Sequence, residues 1–154
     1  MTGSFDKPGY AALRQGRWSA PGQVYLLTFT THDRLPLFTD PAIAVHCCRA
    51  IAALAHTPDG ELLSWVLMPD HWHGLLQLGG RITLSQWVAR LKSATTRHLP
   101  EGVARPVWEK GFHDHAVRQE EDLLQVARYI VGNPVRAGLV SRCGFYPWWD
   151  AVWF

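Results

Sequence analysis

The stretch Leu62–Leu78 constrains this chain more than any other. Two apolar runs meet at Pro69-Asp70, and the second opens with His71-Trp72-His73. Proline presets φ and aspartate bonds its own backbone, so Pro69-Asp70 is turn chemistry. The pattern predicts a strand at about Leu62–Met68, a tight turn, and a second strand at about His71–Leu78. Side chains alternate along a strand. His71 and His73 then share one face with Leu75 and Gln77, while Trp72, Gly74, Leu76 and Leu78 share the other. Two adjacent imidazoles on a rigid strand suit a divalent metal, which needs converging neutral nitrogens. Two histidines incidental to a strand start would look the same, so the pair needs partners.

The remaining elements follow from their own patterns. Val24–Thr30 is rich in β-branched and aromatic residues and reads as a central strand. Asp40-Pro41 supplies an N-cap and a first-turn proline for a helix running to about His56, with Ile43, Cys47, Ile51 and Leu54 at helical spacing. Thr83 or Ser85 caps a second helix carrying Leu84, Trp87, Val88 and Leu91. Val107–Val117 reads as a strand interrupted at Lys110-Gly111. A third helix is expected from about Gln119 to Gly132, with Glu120, Glu121 and Asp122 at the positive end of its dipole. The order β-α-β-β-α-β predicts an α+β, ferredoxin-like (split βαβ) antiparallel sheet with two helices on one face, plus a C-terminal helix. The expected organisation is one domain over residues 1–154, with an extended arm at 1–22 and a tail at 141–154.

On the third helix Tyr129 projects nearly opposite the stripe of Leu123, Leu124, Ala127, Ile130 and Val131. Asn133 lies one turn further on the same side. A polar-face tyrosine beside an amide is a usable nucleophile, although an ordinary surface helix offers the same pair by chance. His113-x-His115 is a second pair of the metal-binding kind.

Composition narrows the class. With 47% apolar and 18% charged residues the chain is a folded globular protein. No apolar run reaches the length of a membrane span, and the N-terminus lacks a signal peptide's apolar core, so a cytoplasmic protein is expected. Three cysteines without CxxC spacing argue against a disulfide framework and a zinc ribbon, and are expected to be buried thiols. The net charge is only +2. Its distribution is one-sided: Arg81, Arg90, Lys92, Arg97 and Arg105 face only Glu101 in their stretch, and Leu123–Trp149 holds arginines and no acid. Such stretches can follow a phosphate backbone, as can Arg14 and Arg17 with Trp18 in the arm. Solvated helix faces also look like this.

Together these segments resemble the REP-associated tyrosine transposases, a group within the single-tyrosine HUH (His-hydrophobe-His) transposases and endonucleases. The resemblance runs from about Tyr25 to Trp148. It is carried by Tyr25–Arg34 with Pro36-Leu37-Phe38, by Met68–His73, by Leu91-Lys92-Ser93, Trp108, Asp114-His115 and Arg118, and by Tyr129-Ile130 with Asn133–Val140. Tyr146-Pro147-Trp148 also matches, although Trp149-Asp150 stands where small hydroxyl residues are expected. Asp70 and His115 match family positions without an evident chemical role.

The resemblance implies that His71 and His73 bind a divalent ion (Mg2+ or Mn2+), that Asn133 helps complete its shell, and that Tyr129 is the nucleophile. It implies cleavage and rejoining of single-stranded DNA at REP-type hairpins through a 5′-phosphotyrosine link, in a bacterial, nucleoid-associated protein. Arg14, Arg17, Arg34, Arg90, Lys92, Arg97, Arg118 and Arg136 are the expected DNA-binding residues. The short connection before the third helix favours a monomer whose tyrosine serves its own site. Two other readings stay open: a non-catalytic single-stranded nucleic-acid-binding module using aromatic platforms, and a metal-dependent hydrolase in which water attacks.

Overall fold

The computed structural model describes residues 21–118 and 121–154. The expected arm, with Arg14, Arg17 and Trp18, lies outside them. Among the described residues no helix is long and apolar enough to cross a membrane.

The chain runs β1 (Val24–Thr30), α1 (Pro41–Leu54), β2 (His56–Thr57), β3 (Gly60–Met68), β4 (His71–Leu78), α2 (Leu84–Arg97), β5 (His113–Ala116), α3 (Leu123–Val131), α4 (Asn133–Arg136) and β6 (Trp149–Ala151). The sheet order is β2-β3-β4-β1-β5, and β6 pairs with β3. All pairings are antiparallel. The α+β split-βαβ architecture expected from the sequence is therefore present.

Local chemistry sets the helix starts. The Asp40 side chain accepts from Ala42 N, with Pro41 at the first helical position. Thr83, rather than Ser85, caps α2 in a reciprocal capping box with Gln86. Asp122 caps α3 by accepting from Leu124 and Gln125 N.

Two cores lie on the two faces of the sheet. On one face Trp72, Leu76 and Leu78 pack with Phe29 and with Ile51, Leu84, Trp87 and Leu91 of α1 and α2. On the other, Val66, Met68 and Leu75 pack under Ala127 and Ile130 of α3. Apolar area buried on both faces explains why β3 and β4 lack a clean solvent side.

Five expectations need correction. The first helix stops at Leu54 rather than near His56, because His56-Thr57 is taken by the β2 ladder onto Glu61 and Gly60. Only His113–Ala116 of the expected strand Val107–Val117 forms a ladder. Upstream, Trp108 makes a single bridge to Thr31 while Val107, Trp108 and Phe112 fill the core from irregular backbone. The third helix begins at Leu123 rather than Gln119: Glu121 instead accepts from Arg118 N at 2.7 Å and pairs with His115 at 3.4 Å. The expected tail is in part a sheet edge, since Trp149–Ala151 pairs with Val66–Ser64. Of the three thiols only Cys47 is fully buried; Cys48 and Cys143 are half-buried.

Candidate active site

His71 and His73 open β4, and strand alternation turns both toward the α3 face. Their rings stand perpendicular with centroids 4.8 Å apart. Trp72 between them is fully buried in the opposite core, stacked on Phe29 at 5.0 Å. Gly74 makes that seat: a Cβ there would stand 2.1 Å from the Trp72 ring. The intervening hydrophobe thus anchors the strand, and the anchor fixes which way the histidines point.

Each imidazole is held through Nδ1. His71 Nδ1 lies 2.7 Å from Asp70 Oδ1. Because a carboxylate only accepts, Nδ1 carries the proton, and in the neutral ring Nε2 keeps its lone pair. His73 Nδ1 lies 2.8 Å from Thr28 Oγ1, its cross-strand partner on β1. In the tautomer whose Nδ1–H donates to that hydroxyl, the second Nε2 is free in the same way. Burial, then the charges of His71 and Arg136, push the His73 pKa down to about 4. At neutral pH the ring is uncharged, the state in which imidazole ligates metals.

Asp70 is itself fixed. Its backbone carbonyl accepts from Thr31 N at 2.9 Å and from Thr31 Oγ1 at 3.1 Å, and Pro69 O accepts from Phe38 N at 3.0 Å. Arg34 Nε reaches Asp70 Oδ2 at 3.2 Å. Burial works upward on the Asp70 carboxyl, but His71 and Arg34 outweigh it and hold the pKa below the usual carboxylate range. Asp33 and Arg34 adopt left-handed backbone (φ 57° and 55°), a conformation that costs energy in non-glycine residues and here turns Arg34 onto Asp70.

Tyr129 is 58% exposed, whereas its neighbour Ile130 is buried against the sheet. The other described tyrosines are inside: Tyr25 is buried, and Tyr146 donates to Leu67 O at 2.6 Å, its pKa pushed up by burial and by Cys48. Tyr129 is therefore the accessible phenol among the described residues. The Arg136 guanidinium lies 3.8 Å from its ring centroid and donates to Tyr129 O at 2.6 Å. The charge of Arg136 also works downward on the His73 pKa. Gly132, which caps α3, leaves room for the guanidinium: a Cβ there would meet an Arg136 nitrogen at 3.0 Å. Asn133 follows at the start of α4, half-buried.

The other expected residues are scattered. His113 pairs with Thr28 on β1, opposite the His73 pairing, so it shares the site face two strands from His73. His115 also faces that side and pairs with Glu121. Lys92 instead serves the opposite core, donating to Glu109 O at 2.8 Å and Gly111 O at 2.5 Å with Nζ 5.1 Å from the Phe29 ring. Arg90 is paired with Asp59, and Arg97 donates to Ser93 Oγ at 2.8 Å. These three stand on α2, across the sheet from the histidines. Arg118 is exposed at the end of β5.

Sequence reasoning missed Thr28, the orienting role of Asp70, and a trio at the same end of the sheet. His32, Asp33 and Glu109 hold ligand-type atoms within 4.8 Å of one another, Asp33 exposed and the other two half-exposed. A carboxylate next to a ligand-type histidine was the available signal for Asp70. Nothing in the sequence marked Thr28, whose role needs the β1–β4 register.

The family model described as "Transposase IS200 like" matches residues 21–133. A Haemophilus influenzae protein named "Putative REP-associated tyrosine transposase" is 27% identical over 139 residues, covering 82% of this chain and 78% of the relative. An Escherichia coli "REP-associated tyrosine transposase" is 29% identical over 89 residues, covering 56% of this chain and 52% of the relative. Among solved structures, a REP-associated tyrosine transposase bound to a REP hairpin superposes with a TM-score of 0.71 at 23% identity, covering 86% of this chain and 79% of that one. A "putative transposase" from Deinococcus radiodurans gives 0.54 at 22% identity, covering 75% and 94%. At these identities the structural likeness speaks for the fold. The chain belongs to the IS200-like transposase family, and the relatives it resembles are REP-associated tyrosine transposases.

Proposed function

We propose that this protein cuts and rejoins single-stranded DNA beside REP-type hairpins, with Tyr129 as nucleophile and a divalent ion, Mg2+ or Mn2+, at His71 and His73. The observation that carries this reading is the pair of imidazoles at the start of β4, each held through Nδ1, on the sheet face covered by the helix that bears the exposed Tyr129. Phenol and imidazoles lie on one side of one chain, which supports a monomer acting on its own site.

The donor set fits a catalytic ion. His71 and His73 would hold it through Nε2, and Asn133, one turn beyond Tyr129, would offer an amide oxygen. Two imidazoles and an amide leave positions open for phosphate and water. When bound, the ion polarises the scissile phosphate and offsets charge developing on its oxygens. Asp70 and Thr28 hold the two imidazoles in their ligating tautomer. Arg136, beside the Tyr129 ring, would offer a guanidinium, whose paired N–H groups match phosphate oxygens. The Tyr129 Oη–phosphorus bond forms as the P–O3′ bond breaks. The phenolic proton passes to solvent water and the departing O3′ takes one from it, giving a free 3′-hydroxyl and a 5′-phosphotyrosine. The linkage preserves the phosphodiester energy, so a 3′-hydroxyl can attack it and restore Tyr129.

The DNA partner follows from the hairpin-bound relative and from the arginines of the C-terminal region. Among the expected DNA-binding residues, Arg136 borders the site and Arg34 touches its support, whereas Arg90, Lys92 and Arg97 stand across the sheet. Purified protein should cut hairpin oligonucleotides with single-stranded flanks in Mn2+. Loss of cutting in Tyr129→Phe and in EDTA is expected. Cutting that survives Tyr129→Phe would mean that water is the nucleophile. Binding indifferent to chelator, without cutting, would mean a binding module.

A further inference from the structure

The segment after α4 carries aromatic side chains on the surface. Phe145 is 62% exposed and Phe154 54%. The Arg142 guanidinium lies 4.9 Å from the Phe145 ring centroid. Trp149, half-buried, meets Phe154 edge to face at 6.4 Å, and its indole N–H donates to Cys143 O at 2.9 Å. That bond ties the Trp149–Phe154 pair to the short turn Cys143–Phe145 that bears Phe145. Exposed aromatics cost hydration free energy unless something covers them, and π faces next to guanidinium groups are what unpaired bases stack on.

Register connects this patch to the histidine site. Trp149 pairs with Val66, and Val66 pairs with His73. Directly paired residues share a face, so Trp149 and His73 stand on one side of the sheet, two strands or about 10 Å apart. α3, with Tyr129, packs on that same side against β3, β4 and β6. The charge suits DNA: Arg128 and Arg142 are exposed here, and the sequence from Leu123 to Trp149 contains no acid. Asp150, the next residue, pairs with Trp65 and so turns to the opposite face.

We propose that Phe145 with Arg142, together with the Trp149–Phe154 pair, forms a stacking surface for unpaired DNA bases flanking the hairpin. This rests on the hairpin-DNA reading above and adds to it a subsite outside the metal and tyrosine machinery. Stacking accepts any base, so the surface grips the flank without reading it, and leaves base choice to other contacts. The aromatic Trp149 at a position where the family resemblance expects a small hydroxyl residue is what builds the pair with Phe154.

The test compares two hairpin oligonucleotides, one blunt and one with an unpaired extension, by fluorescence anisotropy against wild type, Phe145→Ala, Phe154→Ala and Phe145→Trp. Each alanine variant should weaken binding of the extended hairpin about tenfold, with the loss confined to that substrate, and Phe145→Trp should retain wild-type affinity. Equal loss on both hairpins, or no loss on either, would overturn the proposal. Concentration-dependent self-association that disappears in Phe145→Ala, with extended-hairpin affinity intact, would assign the patch to a second copy and also overturn it. If wild type forms the Tyr129 adduct while the alanine variants bind normally, only the stacking surface falls. If wild type binds neither hairpin, the hairpin-DNA reading falls and takes the surface with it.

Discussion

Gly74 and Asp70 show how single residues decide the state of the histidine pair. The Trp72 indole occupies the space a Gly74 side chain would need, 2.1 Å from an added Cβ. Gly74→Ala must displace a fully buried tryptophan, an overpacking that costs about 1–3 kcal/mol. Urea denaturation should show the lower midpoint; an unchanged midpoint would mean that Trp72 has room to move. Asp70 fixes the His71 ring through a 2.7 Å bond. Asp70→Ala should therefore weaken Mn2+ binding about 10- to 100-fold, as removal of such an orienting partner does. Calorimetric titration with Mn2+ checks this, and an unchanged affinity would remove Asp70 from the account. Asp70 was visible in the sequence as a carboxylate beside a histidine. The Arg34 contact was not, because it depends on two consecutive left-handed residues that no composition rule predicts.

At the scale of elements, α2 does a different task from the one its charges suggest. Its Lys92 reaches across the sheet face to bond Glu109 O and Gly111 O, holding the irregular segment that leads into β5. Lys92→Ala should destabilise the fold by about 1.5–3 kcal/mol, the range for hydrogen bonds from a charged donor. The salt dependence of DNA binding should stay as in wild type, measured as the slope of log affinity against log salt. A softened slope without loss of stability would return α2 to the DNA path. The hairpin β3–β4 and the capped helices were legible because their signals are local: a Pro-Asp turn, Asp40-Pro41, and the hydroxyls of Thr83 and Ser85. The run Val107–Val117 misled because its apolar residues fill a core from loop backbone rather than a ladder. β6 was hidden because its pairing joins Trp149 to Val66, far apart in sequence, through a Pro-containing aromatic run.

For the whole molecule, the sheet divides the labour between its faces. α1 and α2 cover the face that anchors Trp72, while α3, the helix that carries Arg128 and Tyr129, covers the face that bears His71 and His73. DNA binding should weaken steeply with salt, since phosphate neutralisation releases counterions. Arg128→Ala and Arg136→Ala should each lower the slope by just under one. Slopes equal to wild type in both would move the DNA path off this face. The central claim is that Tyr129 becomes joined to DNA in a reaction that needs the histidine pair. The most direct measurement is mass spectrometry of proteolysed protein after incubation with a hairpin substrate and Mn2+. The account predicts a 5′-phosphonucleotide on the peptide containing Tyr129, absent with EDTA and absent in His73→Ala. Cleaved DNA with no modified peptide, or a nucleotide on another residue, would contradict it.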